Sequence, residues 1–505
     1  MSSSSSSSTK SPLFVVSPEE LQLAQQAKDY IDASSDPFHA VQTSVDVLTR
    51  AGFVEWSDHD QRLVPGGKYY FTRNKSTLVA VTIGAALNGQ SPPCFKIIGG
   101  HTDSPNLRVK PRSKRSGASA CCLQLGVETY GGGLWHTWFD RDLGLSGRVF
   151  VQTQDDNNSN NNNTIEQRLI KIDRALLRIS NLAIHLQSAK EREAFSFNKE
   201  DHLSPILAMQ VKKALDGNKK TDEDKKETTK PPEDGWTEYQ EPALLHVLAS
   251  ELNVDVKDIV DFELCLFDIA KATLGGVSNE FLHSARLDNL ASCFMAVQAL
   301  QNHATTKLAN DKDIAMIVLY DHEEVGSASA VGAASPIMSE AIRRISSALH
   351  NGDGTVKNAD DIYQAAIAKS FCLSSDQAHA VHPNYASKHE ANHQPKMNQG
   401  MVIKRNANQR YATTGLTGLI MRQIAKKANL PPLQEFMVRQ DCGCGSTIGP
   451  LISTATGIRT IDMGCPQLSM HSIRETMGVC DLKNGVDLFE AYFEHFSTVD
   501  ASIQK

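Results

Sequence analysis

The chain has no apolar run near the roughly 20 residues that a membrane-crossing helix needs, so no helical span is expected. Its N-terminus is a serine tract, Ser2–Ser8, followed by Lys10 and Ser11. It lacks both the apolar core of a secretory signal and the repeated arginines of a transit peptide. A cytoplasmic location is therefore expected, and nothing in the sequence points to vacuolar delivery. Basic residues are not in excess: 51 Lys and Arg against 58 Asp and Glu leave a net charge of −7, which argues against a nucleic-acid surface. The basic stretch Lys110 to Arg115 reads as a solvated strand edge or loop. Ten cysteines include no C-x-x-C pair, so reduced thiols are expected and a structural zinc site is not. H-E-x-x-H is absent too. The acidic pair sits in His322-Glu323-Glu324-Val325-Gly326, which excludes a helical zincin site.

What is present is an ordinary globular composition, 40% hydrophobic and 22% charged, in a chain of 505 residues. That length suggests two to four units. Asp155 to Thr164 is almost all Asn and Asp, and Asp216 to Gly235 is a Lys/Glu/Asp/Thr run with two prolines. Both are expected to be disordered loops of one segment, because neither can bury a core. Ser17-Pro18-Glu19-Glu20 is a capped helix start, with Leu21, Ala24, Ala27 and Ile31 following at helical spacing. Leu290, Phe294, Val297 and Leu300 mark a second helix, beginning near Asp288, and Gly418 to Ala428 a third. Short apolar runs at Phe95–Ile98, Ile314–Leu319, Ser370–Leu373 and Thr460–Met463 read as buried strands. With helices between them, they predict a largely parallel α/β sheet covered on both faces.

Side chains suited to metal fall just past these strands. His101 follows the first, Glu323 and Glu324 the second and Asp376 the third; His471 lies in the loop after the fourth. Open α/β sheets bind ligands outside the carboxyl ends of their strands. Asp288 can add a carboxylate, although a lone Asp at a helix start is more often an N-cap. Two imidazoles and several carboxylates suit zinc, manganese or cobalt, and a shared carboxylate would hold two ions roughly 3.5–4 Å apart. Any one residue alone reads as structural; the set does not, because its members recur at the same kind of place. Asp103 is placed to orient the His101 ring. Glu324 is placed to bind metal and Glu323 to act as general base, against the plainer reading of an exposed acidic turn.

At these residues the sequence resembles the aspartyl aminopeptidases, a family of two-metal exopeptidases. The resemblance rests on the run His101 to Pro105, Tyr130-Gly131-Gly132-Gly133, Trp135 to Leu143 and Ala285 to Asn289. It continues through Asp321 to Ser327, Asp376 to His379, Gln409-Arg410-Tyr411 and Met470 to Glu475. It implies that His101, Asp288, Glu324, Asp376 and His471 bind two divalent ions, zinc above all, with Asp288 bridging. It also implies Glu323 as base, Asp103 as its catalytic neighbour, and His379, Lys404 and Tyr411 as substrate contacts. The implied fold is an α/β metallopeptidase catalytic domain, mixed but with a largely parallel sheet, over 1–105 and 263–505. A mainly β dimerisation domain is inserted at 106–262. His185, in that insert, would reach a neighbouring subunit's site. The implied substrates are peptides with N-terminal Asp or Glu, and the implied assembly is a homo-oligomer, a dodecamer built from dimers. Two rivals remain at this point. A two-metal phosphoesterase lacks a phosphate-cradling glycine loop here. A non-enzymatic peptide-binding or scaffold protein would have no need of Glu323.

Overall fold

The structure is a computed structural model that describes residues 14–57, 63–89, 91–115, 122–154, 163–209, 235–349 and 358–503. The serine tract and most of the Asn-rich and charged loops lie outside the described residues.

Alternating helices and short apolar strands build a nine-stranded sheet. Its centre is four parallel strands in the order Ile314–Tyr320, Phe95–His101, Phe371–Ser375 and Arg459–Gly464. Antiparallel neighbours, Thr77–Ile83 and Val402–Lys404, flank this centre, so the sheet is mixed. Every residue of the strands Phe95–His101 and Ile314–Tyr320 is buried, as expected for a sheet covered on both faces. One face packs on Pro18–Ala33, Leu287–Thr306, Gly415–Lys427 and Val479–Ser502 through residues such as Ile31, Leu290, Ile424 and Phe489. The other packs on Ile337–Leu349, Ala359–Lys369 and Ile448–Thr456 through Ile342, Ile367 and Ile452.

The helix Pro18–Ala33 begins where the sequence predicts, with a reciprocal capping box between Ser17 and Glu20. The third predicted helix begins at Gly415, earlier than Gly418, because Thr414 caps it by accepting from the Thr417 N–H.

A second, six-stranded antiparallel sheet runs from Asn106 to Asp268 with its own core around Trp135, Trp138, Leu145 and Leu248. Its strand Ile259–Asp268 continues past the expected boundary at 262, because Phe262 to Phe267 stay paired with the strand Leu143–Gln154. A third sheet has five very short strands, in the order Thr273–Gly275, Phe281–Ser284, Glu475–Gly478, Pro466–Leu468 and Ala378–His379. Among the described residues, no helix is long and apolar enough to cross a membrane.

Candidate metal centre

The parallel strands aim their carboxyl ends at one edge, and the polar residues collect there. His101 is the last residue of its strand; Glu323 and Glu324 form a 3-10 turn just past Tyr320; Asp376 follows Ser375. Asp288 precedes the helical part of Leu287–Thr306 with φ −83° and ψ 105°. His471 sits in the loop before Glu475 with φ 67°. Arg286 and His322 also take positive φ, of 59° and 64°, so three residues around the site hold a conformation that side chains disfavour. Glycine is required nearby: a Cβ on Gly464 would lie 1.8 Å from the Asp376 carbonyl oxygen.

Three overlapping triads result, one of them His101, Glu323 and Glu324. In the other two, His101, Asp288 and Asp376 have ligand atoms within 4.8 Å of one another, and so do Asp288, Glu324 and His471. Asp288 belongs to both of these. Its Oδ1 lies 3.4 Å from His101 Nε2 and its Oδ2 3.5 Å from His471 Nε2. Asp376 Oδ1 is 3.4 Å from His101 Nε2, and Glu324 Oε2 is 3.4 Å from His471 Nε2. Glu323 stands further out, with Oε2 3.9 Å from His101 Nε2. Asp288 Oδ1 and Glu324 Oε1 are buried oxygens that accept no hydrogen bond from any described residue. Buried polar atoms are otherwise almost always paired, so these donors fit a cation, and the mixed imidazole and carboxylate set fits zinc.

Asp103 does more than the sequence suggests. His101 Nδ1 lies 3.0 Å from the Asp103 backbone carbonyl and 3.5 Å from its carboxylate. The carboxylate also accepts the Glu323 N–H at 3.1 Å, the Glu324 N–H at 3.0 Å and the Tyr130 hydroxyl at 2.7 Å. Asp103 therefore faces His101 and fixes the acidic turn as well. Tyr130 and Gly132, whose carbonyl lies 3.1 Å from His471 Nδ1, bring the second sheet into the site. Neither had a role assigned from the sequence; the Tyr-Gly-Gly-Gly run was the available signal.

The charges interact strongly. Burial alone would pull the His101 imidazole down, yet the carboxylates of Glu323, Asp103, Asp288 and Asp376 hold it well above its ordinary range. His471, opposed by burial in the same way, is pushed up to about 10 by Asp288 and Glu324. Burial and the neighbouring Asp376, Asp103 and Asp288 raise Glu323 to about 8, against the pull of His101. Burial, with Asp288 and Glu323, also drives Glu324 well above the carboxylate range. So many like charges at one point are an environment that bound cations relieve.

A cavity of about 360 Å³ opens over the triads, and His379, Lys404 and Tyr411 also line it. Lys404 is 3% exposed, where sequence alone would leave it at the surface. Its Nζ donates to Asp376 Oδ2 at 3.1 Å and to the Gln377 carbonyl at 2.9 Å, and lies 5.2 Å from the Tyr411 ring. Desolvation and the charge of Lys404 push His379 down to about 4. His185 is not brought to this cavity. It lies on the exposed 3-10 turn Ile184–Leu186.

A doubly covered α/β sheet with imidazoles and carboxylates at its carboxyl edge defines a metallohydrolase. The model for the family "Aminopeptidase I zinc metalloprotease (M18)" matches residues 30–493, and the chain belongs to that family. It is a metalloaminopeptidase. An aspartyl aminopeptidase of Aspergillus oryzae is 45% identical, with 95% of this chain and 98% of the relative covered. Aspartyl aminopeptidase 4 of Saccharomyces cerevisiae is 42% identical, covering 94% and 95%. The fold is similar to a cryo-EM structure of the Ape4 and Nbr1 complex, at TM-score 0.86 and 38% identity, with 97% of this chain and 90% of that one covered. It is also similar to the S. cerevisiae mApe1 dodecamer, at TM-score 0.77 and 28% identity, covering 96% and 98%.

Proposed function

We propose that the chain removes acidic residues from peptide N-termini, with two divalent ions held by His101, Asp288, Glu324, Asp376 and His471. The observation that carries this reading is the overlap of two donor triads on the single carboxylate of Asp288. Zinc suits these donors, and manganese or cobalt also fits the set. Bound there, two such ions supply Lewis acidity that polarises the scissile carbonyl and acidifies the attacking water. Glu323, which lines the cavity but stands back from the imidazoles, accepts that water's proton and passes it to the leaving amine. Lys404 has three protons and spends two on Asp376 and Gln377, which leaves one for a substrate carboxylate. Tyr411 and His379 flank that position. The names of the relatives, aspartyl aminopeptidases, agree with acidic specificity.

The described cysteines are free thiols, which suits a reducing compartment such as the cytoplasm. The insert at 106–262 is the proposed dimerisation domain of a homo-oligomer, a dodecamer like that of mApe1. Exposed Leu182, Ile184 and Leu186, beside His185 in the chain, offer an apolar contact surface.

The test is a panel of aminoacyl reporter substrates, assayed with and without chelator and then with zinc restored. Hydrolysis of Asp- and Glu-reporters that vanishes on chelation and returns with zinc is expected. Undiminished turnover in a preparation shown to be metal-free, or no preference for acidic reporters, would sink the reading.

A further inference from the structure

Three of the five proposed ligands are attached to the small five-stranded sheet. The strand Phe281–Ser284 leads into Asp288, Asp376 leads into Ala378–His379, and His471 lies between Pro466–Leu468 and Glu475–Gly478. The strand Glu475–Gly478 is central, paired with Phe281–Ser284 on one side and Pro466–Leu468 on the other. Its first residue, Glu475, is 2% exposed and points its carboxylate at the loops that carry the ligands. Oε2 accepts the Asp288 N–H at 2.9 Å. Oε1 accepts the His471 N–H at 2.7 Å and the Gln467 side-chain amide at 3.3 Å. One carboxylate thus ties together the backbones of the shared ligand and of the second imidazole.

Those two backbones have one further tie each at the carbonyl, where Ser104 Oγ donates to Asp288 at 2.6 Å and the Leu134 N–H to His471 at 2.9 Å, but Glu475 alone accepts both N–H groups. Asp288 precedes its helix in an extended conformation, and His471 has φ 67°, so regular structure fixes neither. Asp103 performs the matching task on the other side, holding Glu323 and Glu324. We propose that Glu475 is a positioning residue that sets the spacing of Asp288 and His471, and through it the affinity of the centre formed with Glu324. The inference rests on reading those three residues as metal ligands.

The chemistry makes it testable. A carboxylate presents two acceptor oxygens, one for each N–H. In Glu475→Gln the amide has one oxygen and two donors. It can satisfy one N–H only and sets its own NH₂ against the other. Glu475→Asp keeps the charge but is a methylene too short to hold both. Gln467→Leu leaves Glu475 intact and removes only the third donor.

Each protein would be stripped with chelator and titrated with zinc at 25 °C by calorimetry, with thermal unfolding of the metal-free forms recorded in parallel. Glu475→Gln is expected to weaken one of the two zinc sites by about 10–100-fold, the usual effect of losing a partner that orients a ligand. Excess zinc should then restore much of its turnover. Glu475→Asp should bind zinc between wild type and Glu475→Gln. Gln467→Leu should weaken the same site by a few-fold. A merely structural Glu475 would lower the melting temperature of the metal-free protein and leave both zinc affinities of the folded protein unchanged, which overturns the inference. If Glu475→Gln does not fold, Gln467→Leu decides, and an unaltered zinc affinity there overturns it equally. His471→Ala separates the two levels: if it still binds two zinc ions as tightly as wild type, the ligand reading fails and the inference falls with it.

Discussion

Glu323 and Glu324 are neighbours in sequence with different surroundings. Glu324 contacts His471 at 3.4 Å and shares a triad with Asp288, whereas Glu323 faces the cavity and reaches His101 only at 3.9 Å. Glu323→Gln should keep its metal and lose about 10²–10⁴-fold in kcat, as removal of a general base does. Glu324→Gln should lose metal instead, and elemental analysis beside steady-state kinetics checks both. The reverse pattern would mean that the two roles are exchanged. Lys404 invites a similar separation. Lys404→Met should lower kcat/KM for Asp- and Glu-reporters far more than for Ala-reporters, because a charge-assisted contact is lost only for the acidic ones. Its bond to Asp376 means that metal content must be measured alongside. Equal losses on all three reporters would make Lys404 a support for Asp376 and nothing more. Most of these residues were legible in the sequence for a simple reason: each follows an apolar run that had to be a buried strand, and a polar residue at such an end is rarely idle. Lys404 was not legible in that way. Its strand, Val402–Lys404, is too short to show a period, and its burial depends on partners distant in sequence.

The same contrast holds for the secondary structure. The four central strands could be read because their residues are buried on both faces and so form continuous apolar runs. The small sheet could not, since its strands span two to four residues. The strand order could not be read either, because it is set by contacts between distant segments. One such contact lies at the far end of the central strand from His101. Lys96, 2% exposed, donates to both oxygens of Asp311 at 2.9 Å and to the Phe493 carbonyl at 2.5 Å. His303 Nε2 lies 2.9 Å from Asp311 Oδ2. The cluster joins the strand to two helices. Asp311→Asn should cost about 1.5–3 kcal/mol at neutral pH, because Lys96 loses its nearer counter-charge and keeps only Asp313, whose Oδ2 lies 3.6 Å from its Nζ. Burial alone would raise the Asp311 carboxyl, but His303 and Lys96 hold it below its ordinary value. A depressed acid stabilises the fold above its unfolded pKa and stops doing so as pH falls through the folded one. The gap between wild type and Asp311→Asn should therefore be constant from about pH 6 to 8 and narrow below about pH 4. Urea unfolding across that range checks it; a gap that stays constant or widens in acid counts against the assignment.

Every proposed ligand lies within 1–105 and 263–505, outside the insert, yet the proposed site extends beyond one chain. His185 lies on an exposed turn apart from the cavity, with Leu182, Ile184 and Leu186 beside it at 51%, 61% and 72% exposure. Side chains that apolar and that exposed are suited to cover by a second copy. If such a copy seats His185 at its neighbour's cavity, the imidazole can donate to the oxyanion that develops during hydrolysis, a contact that strengthens in the transition state. A lone subunit would then be catalytically incomplete, and the dimer the smallest active unit. Complementation tests this directly. Glu323→Gln and His185→Ala proteins should each be nearly inactive, the first for want of a base and the second for want of a donor. A mixed dimer contains one site that draws Glu323 from the His185→Ala chain and His185 from the Glu323→Gln chain. Activity in the co-assembled mixture should therefore rise well above that of either parent, toward half the wild-type value per mixed dimer. Chains carrying different affinity tags allow the mixed species to be isolated before assay. If the isolated mixed oligomer is no more active than its parents, His185 does not act across an interface, and its exposed turn serves contact alone.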